Sequence, residues 1–256
     1  PGCAEGISGL ALAENLRKQA ERFGAKIELG EVTKIESHDG LVKLETTEGD
    51  KFAKAVLIAT GSDYKKMGVP GEDTYYARGV HYCATCDGAF YRDKKLVVVG
   101  GGTSAVQEAL FLTRFATHID LLVRSDLRAS EVLLHQLEKN KKIQVHLHTT
   151  TDEIIGDGTK LEKVIGTDTE SGKKIEFKTD GVFVFIGLKP TTEFLRSSAI
   201  EFDEIGFIKT NDNFETAIKG VFAAGDVRSG ATMQIASAVG EGATAALRIR
   251  EYLQHL

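Results

Sequence analysis

The chain is poor in cysteine and proline, has no long apolar run, and carries no excess of positive charge. Three cysteines among 256 residues are too few for a fold held together by disulfides. No apolar run approaches the roughly 18 residues that a membrane-spanning helix needs. The formal net charge of −5, with lysine and arginine scattered along the chain, argues against a nucleic-acid-binding surface. These scarcities exclude a disulfide-stapled scaffold, and we expect neither a membrane nor nucleic acid as a partner.

Glycine is abundant instead, and 27 glycines against 3 prolines suit an α/β protein with many tight turns. The length allows one large domain or two ordinary ones with a substantial core. The cysteines comprise a close pair and the odd Cys3, a usage typical of a reducing compartment such as the cytoplasm. No metal site is expected, because there is no second pair and His81, two residues before Cys83, lacks a usual zinc-ligand spacing.

The hydrophobic pattern at the start of the chain predicts one helix followed by three strands. Apolar residues at helical spacing, with Gly24 behind them, predict an amphipathic helix over residues 8–23. Strand-like runs follow at residues 26–36, 41–46 and 52–60. The last run is largely apolar, so we expect a central strand that is covered on both faces.

A second α/β unit follows residues 62–80, which are polar and irregular and are interpreted as a linker. A buried strand at 96–99, a helix at 103–116 and a strand at 119–123 make a βαβ unit. The other predicted elements are a helix at 130–142, a strand at 143–148, a hairpin near 161–178, strands at 182–186, 207–208 and 221–224, and a helix at 233–253.

A glycine-rich turn joins the first strand and the helix of this βαβ unit. Gly100 permits the tight turn, Gly102 lets a pyrophosphate approach the backbone, and the small Ala105 lets the helix pack close to the strand. The N–H groups and the dipole at the helix N-terminus favour an anion at the same place. Glycine triplets also occur in ordinary turns, but the flanking strand and helix favour a nucleotide-binding site.

The residues that close the next strand decide which dinucleotide is preferred. Sites for NAD usually carry Asp or Glu at this point, to bind the ribose 2′-hydroxyl. This chain has Arg124, Ser125 and Arg128, and two guanidiniums with a hydroxyl suit a 2′-phosphate. The pattern favours NADPH over NADH, although Asp126 is an alternative partner for a ribose and a solvated loop is the plainer interpretation.

Cys83-Ala84-Thr85-Cys86 is a CxxC motif that lies shortly before the glycine-rich turn. Such a pair can close a small disulfide ring, and a thiolate at a helix N-terminus has a lowered pKa and is a better nucleophile. The residues after the pair are compatible with a short helix that begins there. Asp87 follows directly and is placed to protonate a leaving thiolate as a general acid. The alternative is two small buried side chains beside an exposed aspartate in a turn.

A second glycine–acid signature, Gly225-Asp226, follows an apolar strand near the C-terminus. A carboxylate at the carboxyl end of a parallel strand lies where α/β sheets bind ligands, and it can accept from a sugar-like hydroxyl. The helix that begins near Gln234, Ile235 and Ala236 could direct the positive end of its dipole toward an electron-rich ring. Taken alone, a Gly-Asp pair after a strand is more often an ordinary turn.

Together these residues resemble the low-molecular-weight thioredoxin reductase family over essentially the whole chain. The segment from Cys83 to Gly88 matches the redox-active signature of that family, which is highly specific. The other matches are Gly100, Gly101, Gly102, Thr103, Ser104 and Ala105 in the NADPH-binding turn, residues 220–227 with Asp226 at the ribityl chain of FAD, Gln234, Ile235 and Ala236 at the isoalloxazine, and Thr60 and Gly61 at a strand end.

The resemblance implies an α/β fold of two Rossmann-like nucleotide-binding domains of the three-layer ββα type. The FAD-binding domain would comprise residues 1–78 and 189–256, and the NADPH-binding domain, residues 79–188, would be inserted into it. Members of the family are typically homodimers. A large domain rotation would alternate the exposure of the flavin between NADPH and the cysteine pair.

The resemblance also implies a role for each residue of the CxxC segment. FAD would pass electrons from NADPH to the Cys83–Cys86 disulfide, with Cys86 facing the flavin. Cys83 would then attack the disulfide of thioredoxin, and Asp87 would donate the proton. The implied activity is a flavin-dependent thioredoxin-disulfide reductase.

Two departures from the family leave alternatives open. No strand with a GxGxxG turn for the FAD pyrophosphate precedes residue 60, so we expect roughly fifty residues to be missing before Pro1. The HRRxxxR phosphate clamp of the family is replaced by residues 123–128, which lack the leading His and one Arg and form a loop one residue shorter. The alternatives are a flavoprotein of the same fold that uses NADH or ferredoxin or acts on a small disulfide or dithiol, and a redox sensor or binding module without FAD.

Overall fold

A computed structural model describes residues 4–256, and the odd Cys3 lies outside the described residues. The chain folds into two units. Residues 4–63 and 189–256 form the discontinuous unit, and residues 64–188 form the inserted unit. The first division therefore lies between residues 63 and 64, upstream of the boundary at residue 78 that the sequence suggested.

None of the α-helices of residues 4–256 is both long enough and apolar enough to cross a membrane. The α-helices are α1 (Gly9–Arg22), α2 (Ala84–Asp87), α3 (Thr103–Leu112), α4 (Glu131–Lys139) and α5 (Ile235–Gln254). The helices α2, α3 and α4 alternate with single strands, whereas longer runs of strands separate them from α1 and α5. Short 3-10 helices lie at Gly88–Tyr91, Glu193–Leu195 and Gly225–Val227.

Among the described residues, the strands are two to eight residues long, with the two longest in the inserted unit. They are β1 (Val32–His38), β2 (Leu41–Thr46), β3 (Lys51–Ala53), β4 (Val56–Ile58), β5 (Ser62–Tyr64), β6 (Val80–His81), β7 (Lys95–Val99), β8 (His118–Leu122), β9 (Ile143–His146), β10 (Thr149–Gly156), β11 (Leu161–Asp168), β12 (Lys174–Lys178), β13 (Gly181–Val184), β14 (Leu188–Pro190) and β15 (Val221–Ala223).

The inserted unit has three layers. A parallel sheet of order β6-β13-β7-β8-β9 forms the middle layer, and the antiparallel sheet β10-β11-β12 forms an outer one. Alternate residues of β7 point to opposite faces: Val97 and Val99 pack against the antiparallel sheet, and Leu96 and Val98 pack against the side of α3. The predicted ββα layering is therefore confirmed in this unit.

Residues before the predicted boundary pack on the inserted unit, which explains the upstream division. Tyr75 is 5% exposed and lies in the core between the two sheets, together with Ile154 of β10. The amide of Ile154 also donates to the carbonyl oxygen of Pro70 at 2.9 Å. The segment interpreted as a linker is thus held by the antiparallel sheet.

The discontinuous unit is built from the antiparallel sheet β1-β2-β3 and the parallel pair β15-β4. Its core includes Ile35, Ile58, Leu195 and Val221. The prediction of a central strand at 52–60 is wrong for the described residues: the run breaks into β3 and β4, β4 pairs with β15, and Leu57 is only half-buried.

Several other boundaries differ from the predictions. The strand predicted at 26–36 begins only at Val32, and the helix predicted at 103–116 ends at Leu112. Ile208 forms isolated bridges instead of a strand. β10 was not predicted, because it begins with polar threonines, and it extends the expected hairpin to three strands. The helix at 8–23 is confirmed as α1, with Ser8 as its N-cap.

Candidate functional site

The cysteine pair sits at the start of α2, directly after β6. Cys83 is the N-cap residue, and its Sγ accepts a hydrogen bond from the amide of Cys86 at 3.1 Å. The two residues form a disulfide across a Cα–Cα distance of 5.3 Å. Ala84 anchors the turn in the core beneath α3, while Cys86 is exposed. The predicted short helix at the pair is confirmed, and it places Cys86 at the surface and leaves Cys83 half-buried.

Asp87, the last residue of α2, carries its carboxylate back toward β6. Its Oδ2 lies 3.0 Å from Nδ1 of His81, and Nε2 of the same ring lies 2.7 Å from the hydroxyl of Tyr91. His81 is 9% exposed. From the sequence, His81 was considered only as a possible zinc ligand. Its contact with Asp87 was not predicted, because that contact depends on how α2 packs against β6.

The glycine-rich turn lies at the end of β7, in the same unit as the cysteine pair. Gly100 has φ +144°, and a Cβ there would collide with the carbonyl oxygen of Phe185, so only glycine fits. Gly102 is the N-cap of α3 and offers no side chain for capping, and a Cβ on it would meet open space. Ala105 is fully buried against the turn. The first amides of α3 are therefore accessible to an anion.

The loop after β8 folds back onto this turn. The amide of Arg128 donates to the carbonyl oxygen of Gly101 at 2.6 Å, and the hydroxyl of Thr103 donates to the carbonyl oxygen of Arg128 at 3.3 Å. Arg124 and Ser125 lie in the same loop with exposed side chains. The loop that contains the predicted phosphate-binding residues therefore lies beside the glycine-rich turn. From the sequence, both were predicted to bind the same dinucleotide.

The residues expected to hold the flavin meet within the discontinuous unit. β4 and β15 run parallel, and the amide of Ala224 donates to the carbonyl oxygen of Ile58 at 3.1 Å. Thr60 and Gly61 follow one strand and Gly225 follows the other, so both segments lie at the carboxyl edge of the pair. The hydroxyl of Thr60 donates to the carbonyl oxygen of Thr191 at 2.7 Å.

Asp226 lies on the 3-10 turn that follows β15, where Gly225 adopts φ +74°. Burial, together with the negative charge of Glu241, raises the pKa of Asp226. Glu241 accepts hydrogen bonds from the Gly225 amide at 2.8 Å and from the Arg228 guanidinium at 2.6 and 3.1 Å. The hydrogen bond from Arg228 lowers the pKa of Glu241. The turn that aims Asp226 is thus fixed by an ion pair that no sequence motif indicated.

The N-terminus of α5 completes this second group. Gln234, Ile235 and Ala236 are exposed, and Gln234 provides no side-chain cap. The hydroxyl of Ser62 lies 3.7 Å from the sulfur of Met233, which brings the start of β5, directly after Gly61, next to the residue that precedes Gln234. The predicted flavin residues therefore converge.

An open cleft of about 600 Å³ adjoins Thr60 in the discontinuous unit. Ile35, Leu57 and Phe194 contribute apolar walls, and Thr60 and Asp63 contribute polar ones. An apolar cleft with a few polar groups at the carboxyl edge of strands is a normal setting for a ligand.

Comparison with known proteins identifies the family to which this chain belongs. Residues 4–242 match the family model described as pyridine nucleotide-disulphide oxidoreductase. A thioredoxin reductase of Treponema pallidum is 42% identical over 100% of this chain and 83% of its own length. A thioredoxin reductase of Bacillus subtilis is 41% identical over 98% of this chain and 80% of its own length.

A solved structure agrees with the sequence relatives. The thioredoxin reductase of Streptococcus pyogenes matches with a TM-score of 0.92 and 39% identity, over 98% of this chain and 82% of that one. The expected fold of two Rossmann-like domains is confirmed by this likeness. The chain is an oxidoreductase and belongs to the low-molecular-weight thioredoxin reductase family of pyridine nucleotide-disulphide oxidoreductases.

Proposed function

We propose that this protein carries electrons from NADPH, through FAD and the Cys83–Cys86 disulfide, to thioredoxin in the cytoplasm. The observation that carries the proposal is the disulfide itself, which lies at the N-terminus of a short helix, with Cys83 half-buried, Cys86 exposed and a carboxylate at the last residue of the helix. This chain covers 83% and 80% of the length of two relatives, and both relatives are thioredoxin reductases. Like other members, the protein is proposed to act as a homodimer.

The nicotinamide nucleotide would be bound by the inserted unit. The amides at the start of α3, behind the uncapped Gly102, suit a pyrophosphate. The hydroxyls of Thr103 and Ser104 border the same turn. Arg124 and Arg128 are exposed beside it, where a 2′-phosphate would find two guanidiniums. NADPH is therefore the proposed donor.

The FAD would be bound by the discontinuous unit. Asp226, held on a fixed turn at the carboxyl edge of β15, suits a sugar-like hydroxyl, and the uncapped N-terminus of α5 suits the electron-rich side of a ring. Thr60 and Gly61 would border the same ligand. When bound, the flavin accepts a hydride equivalent from the nicotinamide and supplies two electrons to a disulfide.

The reduced pair would then exchange with the substrate disulfide. The Cys83 thiolate attacks one substrate sulfur, which forms a mixed disulfide and breaks the substrate bond. The thiolate that leaves takes a proton from Asp87. The Cys86 thiol then attacks Cys83 and gives up its proton to the second substrate sulfur, which leaves as a thiol, and the Cys83–Cys86 disulfide is restored. The substrate has then gained two electrons, one proton from Asp87 and one proton from Cys86.

A second donor is suggested by the loop after β8. Asp126 is exposed in this loop, and a carboxylate there can bind a ribose 2′-hydroxyl. The loop also lacks two of the basic residues of the family clamp. A reductase of the same fold that accepts NADH is therefore the alternative candidate, and comparison of the two nucleotides at equal concentration decides between them.

The proposal is tested by the Cys86→Ser variant of the full-length protein. Anaerobic NADPH should still bleach the visible band of its flavin, because nicotinamide binding and flavin reduction do not use the disulfide. Reduction of oxidised thioredoxin, followed through NADPH consumption, should fall to the uncatalysed level. Undiminished turnover of thioredoxin by this variant would show that another dithiol does the chemistry. If NADPH cannot bleach the flavin of the wild-type protein, NADPH is excluded as the electron donor.

A further inference from the structure

Among residues 4–256, His81 is the imidazole that touches the proposed proton donor, Asp87. It ends β6, the edge strand of the parallel sheet, where it pairs in register with Phe183 of β13. The ring stacks on that of Phe183 with centroids 5.2 Å apart and meets the ring of Tyr91 edge-on at 5.2 Å. The aromatic contacts on two sides hold the plane of this imidazole, and its polar contacts place Nδ1 toward Asp87 and Nε2 toward Tyr91.

The hydrogen-bond partners of the His81 ring determine which of its two nitrogens carries the proton. Burial, together with the negative charges of Asp87 and Asp180, raises the pKa of Tyr91 to about 12. The phenol therefore keeps its proton and can donate to Nε2 of His81. In the neutral form of the ring, one nitrogen donates and the other accepts, so with Nε2 accepting from Tyr91 the Nδ1–H of His81 donates to Oδ2 of Asp87. Tyr91, His81 and Asp87 thus form a chain in which every donor has an acceptor.

This chain has a consequence for the chemistry of Asp87. With Oδ2 held by His81, Oδ1 is the oxygen that remains for a transferable proton. After transfer to the leaving thiolate, the carboxylate keeps the N–H donor of His81, which stabilises the charge that has formed. The same contact fixes the direction in which α2 presents the carboxyl group. Orientation of this kind commonly decides whether a general acid works at full rate.

We propose that His81 is a positioning residue for thiol–disulfide exchange, which holds the Asp87 carboxyl group in its productive orientation while Tyr91 fixes the tautomer of the imidazole. The proposal deepens the proposed function and rests on the role of Asp87 as the proton donor in that function. The step it assists is the one in which the new sulfur–sulfur bond to Cys83 forms, the substrate bond breaks, and the leaving thiolate takes the Asp87 proton.

A double-mutant cycle tests the proposal in the full-length holoenzyme, with oxidised bacterial thioredoxin as the substrate. Asp87→Asn should lower kcat about 100-fold or more, as loss of a general acid does. His81→Leu should lower kcat about tenfold through misorientation, with KM for thioredoxin little changed. In the Asp87→Asn background, His81→Leu should have no further effect, because His81 acts only through that carboxyl group.

The outcomes separate this inference from the function beneath it. An equal loss from His81→Leu in both backgrounds would overturn the positioning role and leave His81 a packing residue. An Asp87→Asn variant with wild-type turnover would instead refute the assigned proton donor. Flavin reduction by NADPH serves as the internal control and should be unchanged in all four proteins.

A second pair of variants keeps the test decisive if His81→Leu does not fold. His81→Asn retains an amide N–H where Nδ1 lies, and His81→Gln moves the amide toward the place of Nε2. Turnover should stay within about threefold of wild type in the first and fall further in the second, since only the first preserves the contact with Asp87. The reverse order, or equal turnover in both, would contradict the proposal.

Discussion

Both units carry ligand-binding groups on a glycine turn that follows a parallel strand, but the surroundings of the two turns differ. The inserted unit places its turn after β7, a strand buried by packing on both faces. The discontinuous unit places its turn after β15, whose partner β4 borders an open cleft, and it fixes the turn with the Arg228–Glu241 pair. Packing supports the first turn, whereas the second turn follows an equally buried strand and has a partly buried ion pair in addition.

This difference predicts where each unit is sensitive. A site that rests on a filled core should be weakened most by removal of core volume, because a cavity costs both transfer free energy and lost contacts. A site that rests on a charge pair should be weakened most by removal of one charge, because the other is left without its partner. Paired substitutions in the two units test each half of this statement.

The largest effect is expected from removal of core volume in the inserted unit. Leu96 of β7 is fully buried, so Leu96→Ala should lower the free energy of unfolding by about 2–5 kcal/mol. Leu57 of β4 is half-buried and lines the open cleft, so the matched Leu57→Ala should cost about 1 kcal/mol, since no closed cavity forms. Hydrogen exchange resolves the loss in each unit. Equal losses would remove the contrast.

An intermediate effect is expected from two arginines that differ in surroundings. Arg228→Ala leaves the Glu241 carboxylate, whose side chain is 13% exposed, without its bidentate partner, and should cost about 1–3 kcal/mol of stability. Arg124 is exposed, so Arg124→Ala should leave stability within about 0.5 kcal/mol but raise KM for NADPH far more than for NADH. Thermal unfolding and steady-state kinetics with both nucleotides check the pair.

Either arginine result can contradict the comparison. An Arg228→Ala variant with wild-type stability would show that the turn carrying Asp226 needs no ion pair. An Arg124→Ala variant with equal changes for NADPH and NADH would remove the phosphate-binding role of the loop. Arg228→Lys is the matched control for the first, because it keeps the charge but loses the bidentate geometry.

Much of both sites was predictable, because their residues are adjacent in sequence. The helix at Cys83, the turn at Gly100 and the start of α5 each follow from local patterns. Even so, the glycine turn was assignable only through its flanking strand and helix. The start of α1 also follows from local chemistry, since Ser8 caps it.

The unpredicted features depend on contacts between distant segments. β10 begins with threonines and becomes a strand only through its pairing with β11. Tyr75 lies in a polar stretch, yet its ring is buried under the antiparallel sheet. Arg228 and Glu241 are 13 residues apart, and nothing local relates them. His81 precedes the cysteine pair, but only the packing of α2 against β6 turns its ring toward Asp87.

The smallest effect concerns Asp226 in the discontinuous unit. Its pKa is raised in the folded protein by burial and by Glu241, so the folded state binds the proton more readily than the unfolded chain does. The ionised carboxylate therefore destabilises the unit at neutral pH. Asp226→Asn should raise the unfolding midpoint slightly at pH 7, by less than Arg228→Ala or either leucine substitution lowers it.

The sign of this effect can be followed through pH in flavin-free protein. The advantage of Asp226→Asn should be full above the raised pKa, where Asp226 is ionised in both states, and it should vanish as the pH falls below the ordinary value of 3.8, where both states are protonated. Arg228–Glu241 acts in the opposite sense: its stabilisation is present above the ordinary glutamate pKa and is lost as the pH falls through the lowered one. Because both proteins keep that pair, the difference between their unfolding midpoints isolates Asp226. A difference that instead grew toward low pH would mean that Asp226 is stabilised as a carboxylate, and that the charge on this turn supports the unit and does not strain it.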